Sequence, residues 1–372
     1  MKEIPYKHLG QMGCFGVNIL VFSSDILRQI PPERLATMKP GGMSMNPKVR
    51  QLMAAFLLGA LAPSLLLHFE QKRKSRFVDL PEITQPTQSS EPSVISPQSK
   101  QIYVQHLDGS IAPMELETYV VGVVLGEMPA DFETEALKAQ AVVARTYTLK
   151  REEEGIRHPM GAVCVDSGCC QAYVSPESYL ARGGTEENLS KIRSAVEQTV
   201  GQVLTYEGAL IEATYFSCSG GRTEDAAAVW GGDVPYLQSV DSPGEEHAAK
   251  YTAEVFFSKD ILEDRLGIGL HGGPESWIRG VTYTEGGGVA ALTIGGCRFT
   301  GVELRKLLEL NSTAFSVTVK PEGILLTTWG HGHRVGMSQY GADAMAAAGN
   351  SYAQILLYYY QGTRIDKMDT LG

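Results

Sequence analysis

Several things are scarce in this 372-residue chain. Tryptophan occurs three times and cysteine six, with no Cys-x-x-Cys pair, no His-Glu-x-x-His and no glycine loop ending in Lys-Ser or Lys-Thr. The first absence removes the usual paired-thiolate zinc module, the second the helix-borne pair of the common zinc hydrolases, and the third the P-loop. Positive charge is also short, with 32 Lys+Arg against 42 Asp+Glu and a formal net charge of −10. The shortage is uneven. Residues 1–76 hold eleven Lys/Arg and four Asp/Glu, a formal +7, which leaves 21 against 38, a formal −17, for residues 77–372. A body that acidic has no general affinity for nucleic acid or anionic lipid, because both attract clustered Lys and Arg. No nucleic-acid partner is expected.

Long apolar runs are scarce too, and the one of membrane type is Leu52-Met-Ala-Ala-Phe-Leu-Leu-Gly-Ala-Leu-Ala-Pro-Ser-Leu-Leu-Leu67, prolonged by His68 and Phe69. At a rise of about 1.5 Å per residue its eighteen residues reach about 27 Å, close to the lower limit for a bilayer core. This predicts a single-pass anchor over 49–70. A signal peptide is the alternative, with Lys48 and Arg50 before the run and Ala60-Leu-Ala62 inside it, although Leu65, Leu66, Leu67 and Phe69 prolong the run beyond Pro63-Ser64. A buried soluble helix is a third reading, and Pro63 with no polar face makes it a poor one. Lys/Arg flank both sides, so the positive-inside rule does not set the orientation. Residues 1–48 read as a short cytoplasmic tail or as an over-extended start, since Met43 or Met45 would each begin a conventional short anchor. Within 71–100, from Asp79 to Ser99, the chain turns to Pro, Ser, Gln and Thr, which bury too little apolar surface to offset their ordering entropy. That composition predicts a flexible stalk.

What is present is an ordinary 43% of hydrophobic residues and 40 glycines, enough for a folded body from about residue 101 to 372. Ile102-Tyr-Val-Gln-His-Leu107 alternates as a strand, Asp108-Gly109 is a turn, and Met114 to Leu125 and Thr134 to Glu152 read as helices, the second stopped by Gly155. A helix over Glu187 to Val200 precedes a hairpin of Val203–Tyr206 with Ile211–Phe216. A second hairpin joins Val281–Thr284 to Val289–Ile294, a third brackets Pro321-Glu-Gly323, and helices near 338–348 and 351–360 close the domain. Antiparallel hairpins with interspersed helices predict an α+β fold.

Three segments carry chemistry. Gly126-Glu127-Met128-Pro129 places a carboxyl at the end of an almost wholly apolar helix. Apolar surroundings disfavour the charged form, so Glu127 is a general-acid candidate, with an exposed helix-end Glu as the plain alternative. His158, Cys164 and Cys170 gather soft ligands within thirteen residues, suited to zinc, with water, Asp166 or Cys169 in the fourth place. A disulfide from Cys164 to Cys169 or Cys170, or unpaired thiols, are the alternatives. Finally, Tyr215-Phe-Ser-Cys-Ser-Gly-Gly-Arg222 and Gly330-His-Gly-His-Arg-Val-Gly-Met-Ser-Gln-Tyr-Gly-Ala342 are polar glycine loops that match no phosphate-binding pattern. They read either as tight turns with helix caps or as the lining of a groove for a hydroxyl-rich ligand.

Taken in order, Tyr119-Val-Val-Gly-Val-Val-Leu-Gly-Glu-Met-Pro129, Glu135-Ala-Leu-Lys-Ala-Gln-Ala-Val-Val-Ala-Arg-Thr-Tyr147, Ser217-Cys-Ser-Gly-Gly221, Trp230-Gly231, Pro235-Tyr-Leu237 and Gly332-His-Arg-Val-Gly-Met-Ser-Gln-Tyr-Gly-Ala342 resemble the SpoIID (stage II sporulation protein D) family of endospore formers. The likeness covers roughly residues 101–365. It implies a lytic transglycosylase acting on septal peptidoglycan during engulfment, with Glu127 as catalytic acid and base and a 1,6-anhydro product. It also implies a substrate-binding role for Arg145, and zinc on His158, Cys164 and Cys170 in a structural or substrate-organising role. Ser217, Ser219, His331, His333, Ser338, Gln339 and Tyr340 are groove candidates, while Cys218 stands where relatives often carry Thr or another small residue. The implied substrate is glycan stripped of stem peptides. The implied partners are an amidase, stage II sporulation protein P, and the membrane protein of stage II called M, at the cell membrane with the catalytic domain outside the cytoplasm. Relatives called amidase enhancers keep a non-catalytic glycan-binding role open, and a zinc hydrolase is a third possibility. The acidity of the body favours the less charged, stripped glycan as ligand.

Overall fold

A computed structural model describes residues 100–370. The expected tail (1–48), anchor (49–70) and all but the last residue of the stalk (71–100) lie outside the described residues. Among the described residues no helix is long and apolar enough to cross a membrane.

The described chain begins with β1 (Gln101–Gln105), β2 (Ile111–Glu115), α1 (Leu116–Glu127), α2 (Thr134–Glu154), β3 (Val163–Cys164), α3 (Pro176–Ala181), α4 (Glu186–Glu197), β4 (Gln202–Tyr206), β5 (Ala209–Leu210), β6 (Tyr215–Phe216), β7 (Gly221–Arg222), α5 (Ala226–Trp230) and β8 (Asp241–Ser242). A second block holds β9 (Thr252–Ser258), α6 (Lys259–Leu266), β10 (Ile278–Tyr283), β11 (Val289–Ile294), β12 (Cys297–Thr300), α7 (Gly301–Leu307), β13 (Phe315–Lys320) and β14 (Gly323–Trp329). The chain then returns through β15 (Met337–Ser338), α8 (Gln339–Ala347), α9 (Tyr352–Tyr359) and β16 (Arg364–Lys367).

Helix α1 is the centre of the first block. Tyr119, Val120, Val123 and Val124 are fully buried, as expected of a helix that is apolar all round. Pro129 sets its end: the residue before a proline is excluded from the helical region, and Met128 is accordingly extended (φ −122°, ψ 142°), leaving Glu127 as the last helical residue. Helix α2 packs across α1 and stops at Gly155, whose left-handed φ of 62° lets its N–H return to the Arg151 carbonyl. The two helices, with α4, α8 and α9, enclose one hydrophobic core.

A second core lies within the other block, built on Phe257, Leu262, Trp277, Leu292, Ile324 and Leu326. The expected body from 101 to 372 thus has two hydrophobic cores. The α+β class holds, and the hairpins β10–β11 and β13–β14 form in antiparallel register as predicted. Three details differ. The predicted strand Ile211–Phe216 is not the partner of β4: Ala209 and Leu210, just before it, pair back on β4, and within it only Tyr215 and Phe216 form a strand, in parallel with Met337 and Ser338. Strand β4 instead takes β16 as its long antiparallel neighbour, a strand absent from the sequence reading. Strands β1 and β3 also pair in parallel, so not every pairing is a hairpin.

A buried ion pair joins the blocks. Arg334 (2% exposed) and Glu224 (1% exposed) lie 3.6 Å apart. The Arg334 guanidinium donates to the carbonyls of Ser219 (2.8 Å), Arg222 (2.7 Å) and Gly286 (2.6 Å), and Glu224 accepts from Thr284 Oγ1 (2.7 Å). Gly286 and Thr284 belong to the β10–β11 turn, so this turn of the second block is tied to both polar glycine loops of the first.

Candidate active site and metal group

Glu127 projects from the end of α1 into a cavity of about 790 Å³. Burial pushes its carboxyl above the ordinary range, and hydrogen bonding from the Ala172 N–H and from the Tyr215 hydroxyl partly opposes that shift. The Ala172 bond to Glu127 Oε1 is 2.6 Å. Gln339 also faces the carboxyl and lowers its pKa, but outside hydrogen-bonding geometry, so its buried Nε2 has no partner among the described residues. Burial thus favours the protonated, proton-donating form of this carboxyl, and a backbone N–H fixes its position.

That N–H reaches Glu127 because α1 carries two glycines on one face. A Cβ on Gly126 would come within 2.8 Å of the Ala172 backbone, and one on Gly122 within 2.1 Å of the Tyr173 ring. The segment 171–174 can thus lie flat on the helix, held by Val174 N–H donating to Gly122 O (2.9 Å). Gln171 extends the arrangement, donating to Thr148 Oγ1 (3.0 Å), and its Oε1, 3.2 Å from Tyr215 Oη, competes with the Glu127 carboxyl for the one Tyr215 hydroxyl proton.

The two polar loops form the facing wall. Parallel pairing of β6 with β15 sets Tyr215 beside Met337, and Cys218 exchanges backbone hydrogen bonds with His331 (3.3 and 2.7 Å). Ser217, His331, His333, Gln339 and Tyr340 all line the cavity with Glu127. Burial lowers the pKa of His331 and brings that of His333 down to about 4, so both imidazoles are neutral hydrogen-bonding groups near pH 7. His333 packs against Phe216 and against Trp230, with ring centroids 5.6 and 5.4 Å away, and Trp230 is half exposed at the rim.

Three sequence candidates are not brought to the cavity. Arg145 is fully buried, its guanidinium forked onto both oxygens of Glu117 (2.9 and 2.5 Å) and bonded to the Gln202 carbonyl (3.1 Å). It braces α1 and α2 against β4, and no donor is left facing the ligand space. Ser219 is buried and spends its N–H (2.5 Å) and hydroxyl (3.0 Å) on the buried carboxyl of Glu245. Ser338 is buried as the N-cap of α8, accepting from Gly341 N–H. Cys218 is buried as well, its thiol pushed up to about 11, so it stays protonated and inert.

His158, Cys164, Cys169 and Cys170 meet on the opposite wall, each offering a ligand atom within 4.8 Å of the others. The Cys169 and Cys170 sulfurs lie 3.3 and 3.4 Å from His158 Nε2. A tetrahedral ion with metal–sulfur bonds of about 2.3 Å and metal–nitrogen bonds of about 2.0 Å separates such atoms by about 3.5 Å, so the donor set fits. All three cysteines are free thiols. Of the fourth ligands considered, Cys169 is the one gathered with the other three, while Asp166 Oδ1 accepts instead from the Gly168 N–H (2.8 Å). This His/Cys3 group can hold a metal ion. It lies two residues from Ala172, and Cys170 itself lines the cavity.

Sequence reasoning did not single out Tyr215 as a neighbour of Glu127, Trp230 at the rim, or Arg157 and Lys250 in the lining. Tyr215 and Trp230 did stand in or beside noticed motifs; Arg157 and Lys250 stood in none.

Comparison with known proteins agrees with these motifs. The family profile described as "SpoIID: Stage II sporulation protein" matches residues 106–206. Stage II sporulation protein D of Bacillus subtilis (strain 168) is 41% identical over 279 residues, covering 74% of this chain and 80% of that protein. Stage II sporulation protein D of Bacillus amyloliquefaciens is 37% identical over 338 residues, covering 88% of this chain and 97% of that protein. An amidase enhancer of Bacillus subtilis (strain 168) is 31% identical over 299 residues, but the matched part is only 40% of its length. On the strength of the full-length relatives, the chain belongs to the SpoIID family of stage II sporulation proteins.

Proposed function

We propose that this chain is a lytic transglycosylase that cleaves stripped peptidoglycan strands between N-acetylmuramic acid and N-acetylglucosamine. The observation that carries the reading is the carboxylate inventory of the cavity. Burial shifts Glu127 toward its protonated form, and the other lining carboxylate, Glu212, is ion-paired to Arg151. A glycoside hydrolase ordinarily needs a second free carboxylate as base or nucleophile. A transglycosylase does not, because its nucleophile is part of the substrate. Glu127 donates its proton to the glycosidic oxygen as the C1–O bond breaks. The resulting carboxylate then takes the proton from the muramoyl C6 hydroxyl as that oxygen bonds to C1. The 1,6-anhydro ring forms, Glu127 regains its proton, and no water is consumed.

The Ala172 N–H and Tyr215 hydroxyl stabilise the transient Glu127 carboxylate, and neutral His331, His333 and Gln339 offer hydrogen bonds to sugar hydroxyls and acetamido groups. Trp230 offers an apolar face to a sugar ring. In the His/Cys3 group we assign zinc, which suits three thiolates and one imidazole; a set of four protein ligands is the closed, structural kind. When bound, the ion supplies cross-linking of the 158–170 loop rather than a reacting group. We further propose that the protein works at the septal membrane, held by residues 49–70 with this domain outside the cytoplasm, alongside the stage II proteins P and M.

The test is mass spectrometry of products from stripped glycan incubated with the purified protein. Anhydro ends are expected, and Glu127→Gln should lower their release by about a hundredfold or more with folding intact. Reducing ends carrying added water, or normal release by the Gln variant, would overturn the proposal. The 31% identity to an amidase enhancer favours one second reading, a glycan-binding stimulator of an amidase. That reading predicts no cleavage and undiminished amidase stimulation by Glu127→Gln.

A further inference from the structure

The cavity has a charge opposite to that of the body around it. Its lining includes Arg151, Arg157 and Lys250 alongside Glu127 and Glu212. Arg151 is already neutralised, bonded to Glu154 (2.5 Å) and to Glu212. Burial disfavours the charged form of Glu127. That leaves Arg157 and Lys250, neither of which has a carboxylate within 4.0 Å among the described residues.

Both side chains are exposed, and neither is held by a carboxylate. Arg157 Nη1 donates to Tyr147 Oη (3.2 Å) and to the Cys169 carbonyl (2.5 Å), which orients the guanidinium, and the Cys169 and Cys170 side chains lie near enough to favour its charged form. Lys250 Nζ lies 3.5 Å from His331 Nε2, and that imidazole is kept neutral by burial and by Lys250 itself. Arg157 comes from the wall of the metal group and Lys250 from the wall of His331. A cation without a carboxylate partner on each wall of one cavity suits an anionic ligand, and an oriented guanidinium suits a carboxylate in particular.

We propose that Lys250 and Arg157 form a carboxylate-reading subsite that makes free lactyl groups the determinant of substrate choice. The inference rests on the glycan-cleaving reading above. Each muramic acid bears a lactyl ether at C3. In the intact wall its carboxyl is locked in an amide to the stem peptide, so it carries no charge. Hydrolysis of that amide leaves one carboxylate per disaccharide, on the sugar whose C1 is attacked. Stripping therefore does more than remove bulk: it creates the anion that the two cations accept. An amide-hydrolysing step must come first in the reaction sequence, and the −17 of the body disfavours other polyanions that lack a carboxylate at this position.

The experiment compares stripped glycan with the same glycan whose lactyl carboxylates have been converted to methylamides by carbodiimide coupling. Cleavage and co-sedimentation are measured for the full protein, Lys250→Gln, Arg157→Gln and the double variant. With a charge-assisted hydrogen bond contributing about 1.5–3 kcal/mol, the unmodified protein should show a KM about tenfold or more lower for the free carboxylates. The advantage should shrink in each single variant, vanish in the double variant, and return in Lys250→Arg. In every variant KM should rise more than kcat falls. Added salt should erode the advantage wherever a cation remains and leave the double variant unchanged. Equal KM and equal binding for the two glycans, or an advantage that survives in the double variant, would overturn the inference while leaving the transglycosylase reading intact. If neither glycan is cleaved, that reading fails, and co-sedimentation still decides the carboxylate preference. Lys250, ninety-two residues from His158 in sequence, tests the subsite without touching the metal group.

Discussion

At the scale of single residues, the chemistry turns on how Glu127 is solvated. Burial raises its pKa and the Tyr215 hydroxyl opposes the rise. The acid form is the one that starts the proposed reaction, so activity is present below the folded-state pKa and lost as pH climbs through it. In Tyr215→Phe the opposing bond is gone, and the alkaline limb of the kcat/KM profile should move to higher pH; a limb that stays or moves down would show that Tyr215 does not act on this carboxyl. Arg145 behaves differently. Replacing it by Ala strands the half-buried Glu117 carboxylate, and breaking such a pair costs about 3 kcal/mol or more. Denaturant unfolding should show that loss, while KM of the residual folded enzyme changes little, since the guanidinium faces Glu117 and Gln202 and not the cavity. The candidate site was legible to just this degree. An apolar helix ending in Gly-Glu-Met-Pro announces a desolvated carboxyl by pattern alone. Nothing in a motif says whether an Arg or a Ser inside it faces ligand or core, which is why Arg145, Ser219 and Ser338 read as contacts when they are braces.

At the scale of elements, the piece that matters is the strip formed by Gly122 and Gly126 on α1 with 171–174 laid across it. Alanine is a better helix former than glycine by about 1 kcal/mol, so Gly126→Ala should not weaken the helix itself. Its Cβ would nevertheless press on the Ala172 backbone and move the N–H away from Glu127. The expected outcome is a lower kcat with a nearly unchanged thermal midpoint; full activity in this variant would remove the 172 N–H from the mechanism. Chelation tests the other end of the same segment. If the His/Cys3 group holds zinc, stripping it should lower the melting temperature and lower kcat, with about one zinc per chain counted in the untreated protein by elemental analysis. Helices were the legible elements, because their apolar spacing and their Pro129 and Gly155 stops are local. The pairing of 211–216 was not. Which strand an extended segment joins is set by partners far along the chain, here Met337 and Ser338, and alternation within the segment does not specify them. Nor can spacing rank Asp166 against Cys169 as a fourth ligand when both lie in one short loop.

At the scale of the whole molecule, Arg334 and Glu224 tie the two cores through the β10–β11 turn. Arg334 donates to three carbonyls from separate segments, a set that the single ammonium of a lysine does not reproduce. Arg334→Lys should therefore cost stability, and a double-mutant cycle with Glu224→Gln should return a coupling of about 1–3 kcal/mol; additive effects would show the two blocks to be energetically independent there. The pairing of β6 with β15 has a further consequence, in the order of events during synthesis. Tyr215 and Met337 are neighbours in space but separated by the entire second block. A chain that has emerged only as far as β14 possesses Glu127 but not the His331, His333, Gln339 and Tyr340 that face it. The carboxyl acquires its ligand-facing wall only when the last ninth or so of the chain has folded back. If the chain cuts cell wall as proposed above, its unfinished form would lack the wall of the cavity that faces the carboxyl, and cleavage would wait for completion.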